Sequence, residues 1–242
     1  MDAGVLSGVP HVTHTSRCGT AIDSCQGLLL NDRRWDLMDV RIRAAESGDV
    51  PAMARVYVDA WRTTNAGILP SEYLDGLSYR KAELKWYRVL ADHQDTPKYF
   101  VAETHVGKVV GLAGGGPERE GNPTYRAELY LIYLLAGYQR QGLGRLLVSA
   151  VAEESRANGF HSMLVWTFKD THGACRFYKS LGGELIGSGT ITIGGRDVTE
   201  VCYGWRNIAD LAANQSQEHK GLWNTPHLQD GHRQSLETSS SN

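Results

Sequence analysis

The chain's 242 residues carry a formal net charge of -2. That length holds one domain with a hydrophobic core, and that balance excludes both the basic field that attracts nucleic acid and the polybasic run that attracts a membrane surface. No stretch approaches the roughly 18 apolar residues of a membrane span. The four cysteines, Cys18, Cys25, Cys175 and Cys202, include no CxxC pair, which excludes a disulfide scaffold and predicts a reducing, cytoplasmic setting.

Residues 1–38 show no sustained helix or strand period and are expected to be a disordered extension, or the product of a start codon assigned too far upstream. Their His11, His14, Cys18 and Cys25, in "HVTHTSRCGTAIDSC", fit no zinc spacing, so no metal site is expected. The folded unit is predicted over residues 39–207. "DVRIRAA" predicts a strand. Asp49 then stands as an N-cap with Pro51 in the first turn, predicting a helix to about Trp61. "RTTNAGILP" predicts a loop, and "SEYLDGLS" and "RKAELKWYRVLAD" predict helices. "KYFVAET" and "KVVGLAGGG" predict two strands joined by the tight turn "HVG".

"AELYLIYLLA" is apolar on both faces and predicts a central, buried strand. Leu143, Leu146, Leu147, Ala150 and Val151 form a helical stripe that ends near Gly159. "HSMLVWTF" predicts a strand, "GACRFYKSLGG" a short helix and "ELIGSGTITIGGRDVTEVCYGW" a hairpin. "RNIADLAANQ" holds a short helical stretch, and residues 208–242 are otherwise expected to be a polar, disordered tail. The order β, α, α, β, β, β, α, β, α, β, β is that of an α+β fold with a mixed sheet.

The stretch "GYQRQGLGRLL" lies between the buried strand and a helix N-terminus. Backbone N–H groups there lack intrahelical partners, and the helix dipole adds positive potential. Such a turn is an anion site suited to phosphate. Gly142 and Gly144 let a phosphate approach the backbone, and Arg140 and Arg145 supply charge. A Walker loop fails because Leu143 and Gly144 stand where Lys and Ser/Thr are required, and a dinucleotide fingerprint fails because Leu147 replaces its third glycine. What is left is Gln/Arg-x-x-Gly-x-Gly/Ala, here Gln139, Gly142 and Gly144.

On these residues the chain resembles the GNAT acyltransferases, the family related to the Gcn-type histone acetyltransferases. "YQRQGLGRLL" resembles the family's pyrophosphate motif, "ELYLIYLLAGYQ" the strand leading into it, and "GACRFYKSLGG" its Phe-Tyr helix. "AWRTTNAGILPSEYLDGLS" resembles the acceptor-side segment of bacterial members. The resemblance spans about Asp39 to Trp205. It implies a three-layer fold with a splayed mixed sheet flanked by helices, and acetyl-CoA as the donor. It places the pyrophosphate on the amides of Arg140, Gln141, Gly142, Leu143 and Gly144. The pantetheine arm is expected along the backbone of Ile132, Tyr133 and Leu134.

An amine acceptor, protonated near neutral pH, benefits from a base, an oxyanion donor and an acid for the leaving thiolate. Glu128 is the candidate base, as the one carboxylate of an apolar strand, eleven residues before Gln139. Alternation is expected to place 128, 130, 132 and 134 on one face; the competing reading is a glutamate paired with Arg126. Tyr178 matches the family's tyrosine near the sulfur and is the candidate acid. His172 is read in the place where relatives carry Asn, and Cys175 is read as a small core residue. Trp61, Tyr73, Trp86 and Tyr87 are read as core before pocket. The acceptor, a small molecule or a peptide, is expected to be set by residues 61–77 and 189–200. No nucleic-acid or membrane partner is expected, and homodimerisation stays open. A non-catalytic acyl-CoA sensor on the same fold is the alternative to an N-acetyltransferase.

Overall fold

The computed structural model describes residues 40–91 and 98–212. The expectations for residues 1–38, including His11, His14, Cys18 and Cys25, and for the tail beyond 212 lie outside the described residues. One mixed sheet of seven strands has the order β1-β2-β3-β4-β5-β7-β6. β1 (Val40–Ala44), β2 (Lys98–Thr104), β3 (Val109–Pro117) and β4 (Ala127–Leu134) pair antiparallel in succession. β4 then pairs parallel with β5 (Met163–Phe168). β7 (Arg196–Trp205) lies between β5 and β6 (Glu184–Ile193), antiparallel to both.

Helices α1 (Val50–Thr64), α2 (Ser71–Asp75) and α3 (Tyr79–Ala91) contribute to the apolar cluster on one face of the sheet. α4 (Leu143–Ala157), α5 (His172–Ser180) and α6 (Ala209–Ala212) contribute to the cluster on the other. This is the expected α+β arrangement of three layers. α4 buries Leu143, Leu147, Val148, Val151 and Ala152, a stripe at helical spacing that fits it to the sheet. No helix among the described residues is long and apolar enough to cross a membrane.

Three expectations are corrected. Asp49 precedes α1 but makes no side-chain cap there. Its carboxylate instead accepts from Arg43 at 2.6 and 2.8 Å and from the Glu46 N–H at 2.8 Å, because a guanidinium is the stronger partner for a buried carboxylate. The boundary at residue 207 falls short. Ile208, Leu211 and Ala212 are buried in the α4 cluster, and Ser149 Oγ donates to the Ala212 carbonyl at 3.2 Å.

The third correction moves the site. Gly114 pairs with Leu131 but Gly115 pairs with Leu129, so Tyr130 is one residue too many on β4, a β-bulge. A bulge inverts the alternation beyond it. Ala127 and Leu129 before it, and Ile132 and Leu134 after it, all join the α4-side cluster, while Leu131 and Tyr133 join the α1 side. Glu128 therefore shares its face with Leu131 and Tyr133, not with Ile132 and Leu134. Gly115 makes room opposite the bulge: a Cβ there would lie 2.5 Å from Val151 Cγ1 and 2.7 Å from the Glu128 carbonyl oxygen.

Candidate active site

β4 and β5 pair only at Ala127–Met163 and Glu128–Leu164, although the strands run on to Leu134 and Phe168. Beyond Glu128 the sheet splays, leaving one edge of β4 open. The Leu135 N–H donates to the Val110 carbonyl at 2.9 Å, which sets the phase of the β3–β4 ladder. Backbone groups of Leu131 and Tyr133 turn to β3, and those of Ile132 and Leu134 turn to the open edge. Of the three residues expected to meet a ligand through the backbone, Tyr133 is thus turned away. Gln139 Nε2 donates to the Leu134 carbonyl at 2.9 Å, tying the next turn to the end of the strand.

That turn is left-handed at two residues, Arg140 (φ 62°) and Gly142 (φ 86°). The conformation is free for glycine and strained for arginine, and it aims successive amides toward one side. Within the helix that follows, the first N–H to turn back is that of Arg145, onto the Gly142 carbonyl at 2.9 Å, which leaves the N–H groups of Leu143 and Gly144 at the helix start without intrahelical partners. Gln141 Nε2 braces the turn by donating to the Gly137 carbonyl at 3.0 Å. A cavity of about 390 Å³ opens here, lined in part by Ile132, Leu134, Gln139, Arg140, Gly142 and Gly144. Arg145, Arg176 and Phe177 complete much of its wall. A Cβ on Gly142 would meet nothing within 4 Å, while one on Gly144 would come within 3.2 Å of the Phe177 ring. Open space over the amides of a helix start, with three arginines around it, suits a phosphorylated ligand.

The α1 face of the sheet beside the splay differs in chemistry. Glu128 is buried, and both of its oxygens accept from Arg119: Nε at 2.9 Å to Oε2, and Nη2 to Oε1. Arg119, not the Arg126 of the competing reading, is the partner, because the loop after β3 folds back over β4. Its half-exposed guanidinium lies 4.3 Å over the Tyr130 ring, and the carboxylate raises its pKa further. Tyr130 in turn donates to the Pro117 carbonyl at 2.5 Å. Trp61 Nε1 donates to the Tyr133 hydroxyl at 2.7 Å. Trp61 and Trp86 are core, as expected, while Tyr73 is half-buried and Tyr87 exposed.

Tyr178 lies on the α4 side of the sheet, fully buried against Tyr203 and Trp205. Its hydroxyl has no hydrogen-bond partner, and burial pushes its pKa upward. It is its neighbour Phe177, with Gly173, Arg176 and Ser180, that lines the cavity from α5. The structure therefore does not bring Glu128 and Tyr178 together on one face. His172 is exposed, and the buried residue at the start of this helix is Thr171, whose hydroxyl is unpartnered. Cys175 is half-buried, its Sγ 3.7 Å from the Lys169 carbonyl. Arg119 and Thr171 escaped the sequence reading. Arg119 carries no local signal, since its partner is set by the fold of a loop. Thr171 stands at the N-cap position of the helix but makes no side-chain cap there, so no local rule marked it.

The acetyltransferase (GNAT) family pattern matches residues 53–183. The chain is 37% identical over 172 residues to the uncharacterized N-acetyltransferase YuaI of Bacillus subtilis, covering 71% of this chain and 96% of that one. It is 29% identical over 150 residues to the L-methionine sulfoximine/L-methionine sulfone acetyltransferase of Pseudomonas aeruginosa, covering 62% and 83%. Among solved structures, yncA of Salmonella typhimurium with its cofactor acetyl-CoA superposes with a TM-score of 0.55 at 25% identity, covering 69% of this chain and 93% of that one. The chain belongs to the acetyltransferase (GNAT) family, whose co-substrate is acetyl-CoA.

Proposed function

We propose that this protein is an acetyl-CoA-dependent N-acetyltransferase that passes the acetyl group directly to an amine while both substrates are bound. The observation that carries this reading is the gap between β4 and β5, with a phosphate-ready turn at one mouth and a carboxylate–aromatic face at the other. The amides of Arg140, Gln141, Gly142, Leu143 and Gly144 would hold the pyrophosphate. The backbone of Ile132 and the N–H of Leu134 would pair with the pantetheine arm, and Gln139 would keep the edge in place. A relative named as an acetyltransferase of L-methionine sulfoximine and L-methionine sulfone is in keeping with a small acceptor.

What acetyl-CoA supplies is an activated acetyl carbonyl; the residues supply position and protons. The amine nitrogen bonds to that carbonyl, the carbon–sulfur bond breaks, and the amine's proton must leave while the thiolate gains one. Glu128, held by Arg119, is the carboxylate toward which that proton moves, directly or through water. Tyr178, kept protonated by burial and with no competing acceptor, is the donor for the thiolate.

The test is a pair of substitutions at one position. Gly142→Glu places a carboxylate against the phosphates and is expected to abolish acetyl-CoA binding in calorimetry. Gly142→Ala carries the same left-handed strain, about 1–2 kcal/mol, without the charge, and is expected to bind. Unchanged affinity in a folded Gly142→Glu variant would remove the phosphate assignment. CoA release measured with a panel of amines tests the transfer itself.

A further inference from the structure

Among the described residues neither Oδ1 nor Nδ2 of Asn65 has a hydrogen-bond partner, although the residue is only 1% exposed. Asn65 stands just past the end of α1. Its N–H donates to the Trp61 carbonyl at 3.1 Å, and its carbonyl accepts from the N–H groups of Ile68 and Leu69 at 3.0 Å. The backbone there does not call for asparagine. Its φ is -100°, outside the left-handed region, and the side chain caps nothing.

The surroundings of Asn65 are those of the gap. Trp61, one turn earlier, reaches both strands of the splay. Its Nε1 donates to the Tyr133 hydroxyl of β4 at 2.7 Å, and its ring meets that of Phe168 of β5 edge-on, with centroids 6.2 Å apart. Leu69, tied to the Asn65 carbonyl, is buried in the same cluster as Trp61, Tyr133 and Phe168. α2 and the β6–β7 turn close over the Trp61 end of this cluster. The Tyr73 ring stands 6.2 Å from that of Trp61, and a Cβ on Gly194 would lie 2.9 Å from Tyr73 Cβ. A buried amide with its donors and its acceptor unmet is costly. Meeting both takes a ligand that donates and accepts, since Oδ1 only accepts and Nδ2 only donates.

We propose that Asn65 positions the acceptor: Oδ1 accepts from an N–H of the amine, and Nδ2 donates to an oxygen on the same molecule, once α2 and the β6–β7 turn part to admit it. The inference rests on the transferase reading. It selects primary amines that carry a nearby oxygen acceptor over plain alkylamines. A hydrogen bond to Oδ1 leaves the nitrogen lone pair free to attack the thioester carbonyl, and a neutral amide holds the ammonium form less firmly than a carboxylate would.

The probes are L-norleucine and n-pentylamine, the same amine without its carboxylate, each with saturating acetyl-CoA. Wild type is expected to favour L-norleucine by at least about tenfold in kcat/KM. Asn65→Leu, close in shape, is expected to bring the two to near parity, through a raised KM for L-norleucine at nearly constant kcat. Asn65→Ser, which keeps a hydroxyl, is expected to retain part of the preference. In Asn65→Leu the acetyl-CoA affinity is expected to be unchanged and the melting temperature no lower than that of wild type, because an unmet polar group has gone. An amide that serves the fold through a buried water would give the reverse, a lower melting temperature with the preference intact, and overturns the inference. An equal preference in variant and wild type at any melting temperature overturns it too, as does turnover of other amines with neither probe accepted; the transferase then still stands. No CoA release with any amine, from a protein that binds acetyl-CoA, removes the transferase reading and the inference with it.

Discussion

Glu103 and Glu128 are both buried carboxylates on strands, and both are held by arginines that came from elsewhere in the chain. Glu103 accepts from Arg43 at 2.8 and 3.0 Å and from Arg41 at 2.6 Å. Arg43 foremost, with help from Arg41, holds the Glu103 pKa down to about 2 against an ordinary 4.5. A carboxylate with a depressed folded pKa binds its proton less readily when folded than when unfolded. Its stabilisation is therefore complete above pH 4.5 and fades as pH falls toward about 2. Glu103→Gln is expected to cost about 1–3 kcal/mol at neutral pH and much less at pH 2, so urea midpoints of variant and wild type should converge on acidification. A constant gap between them would show that packing, not the ion pair, is what the substitution removes. Pairings of this kind were not legible in the sequence. Glu128 stood out as the lone carboxylate of an apolar strand, but its partner is a residue on a returning loop, and proximity in sequence favoured Arg126 instead.

At the scale of elements, the sequence was most legible where a local rule acts alone. The glycine turn, the apolar stripe of α4 and the hairpin strands follow from backbone freedom and periodicity, and each stands where those rules put it. The β4 bulge does not, because it exists only through the fit of Gly115 against Val151 and the Glu128 carbonyl, a contact between three elements. α6 is a similar case. "ADLA" is too short to hold a helix by propensity, and its place comes from the α4 face it covers. A chain of residues 40–207 loses the buried Ile208 and Leu211. Net loss is expected to be about 2–5 kcal/mol, the range for deleting one buried Ile or Leu side chain, since ordering entropy of the short helix is recovered. Relative to a chain of residues 40–212, the melting temperature should drop by about 5–15 °C. Equal melting temperatures would mean that α6 rests on the core without stabilising it.

Across the whole molecule, the sheet separates two chemistries and the splay joins them. The turn at Arg140–Gly144 and the side chain of Tyr178 belong to the α4 side; Glu128, with the Arg119 bonded to it, belongs to the α1 side. In the function proposed above the two substrates occupy the gap together, and holding reactants together can supply much of a rate. Initial-rate plots over both substrates should therefore intersect rather than run parallel, as they would if an acetylated protein formed and the first product left before the acceptor arrived. Cys175 is the thiol nearest to such a role, yet its Sγ donates to the carbonyl oxygens of Phe168 and Lys169, and Cys175→Ser should keep wild-type kcat. The separation also predicts distinct defects. Tyr178→Phe should lower kcat with acetyl-CoA affinity intact if the proposed role of the phenol, as proton donor to the leaving sulfur, is its only one. Glu128→Gln should lower kcat by about 10²–10⁴-fold if the carboxylate takes the amine's proton, with activity returning at high pH, where more of the amine is already a free base. Parallel initial-rate lines together with an inactive Cys175→Ser would replace direct transfer by a covalent route through that helix. Intersecting lines with both catalytic variants at full speed would leave positioning between the two mouths as the whole of catalysis.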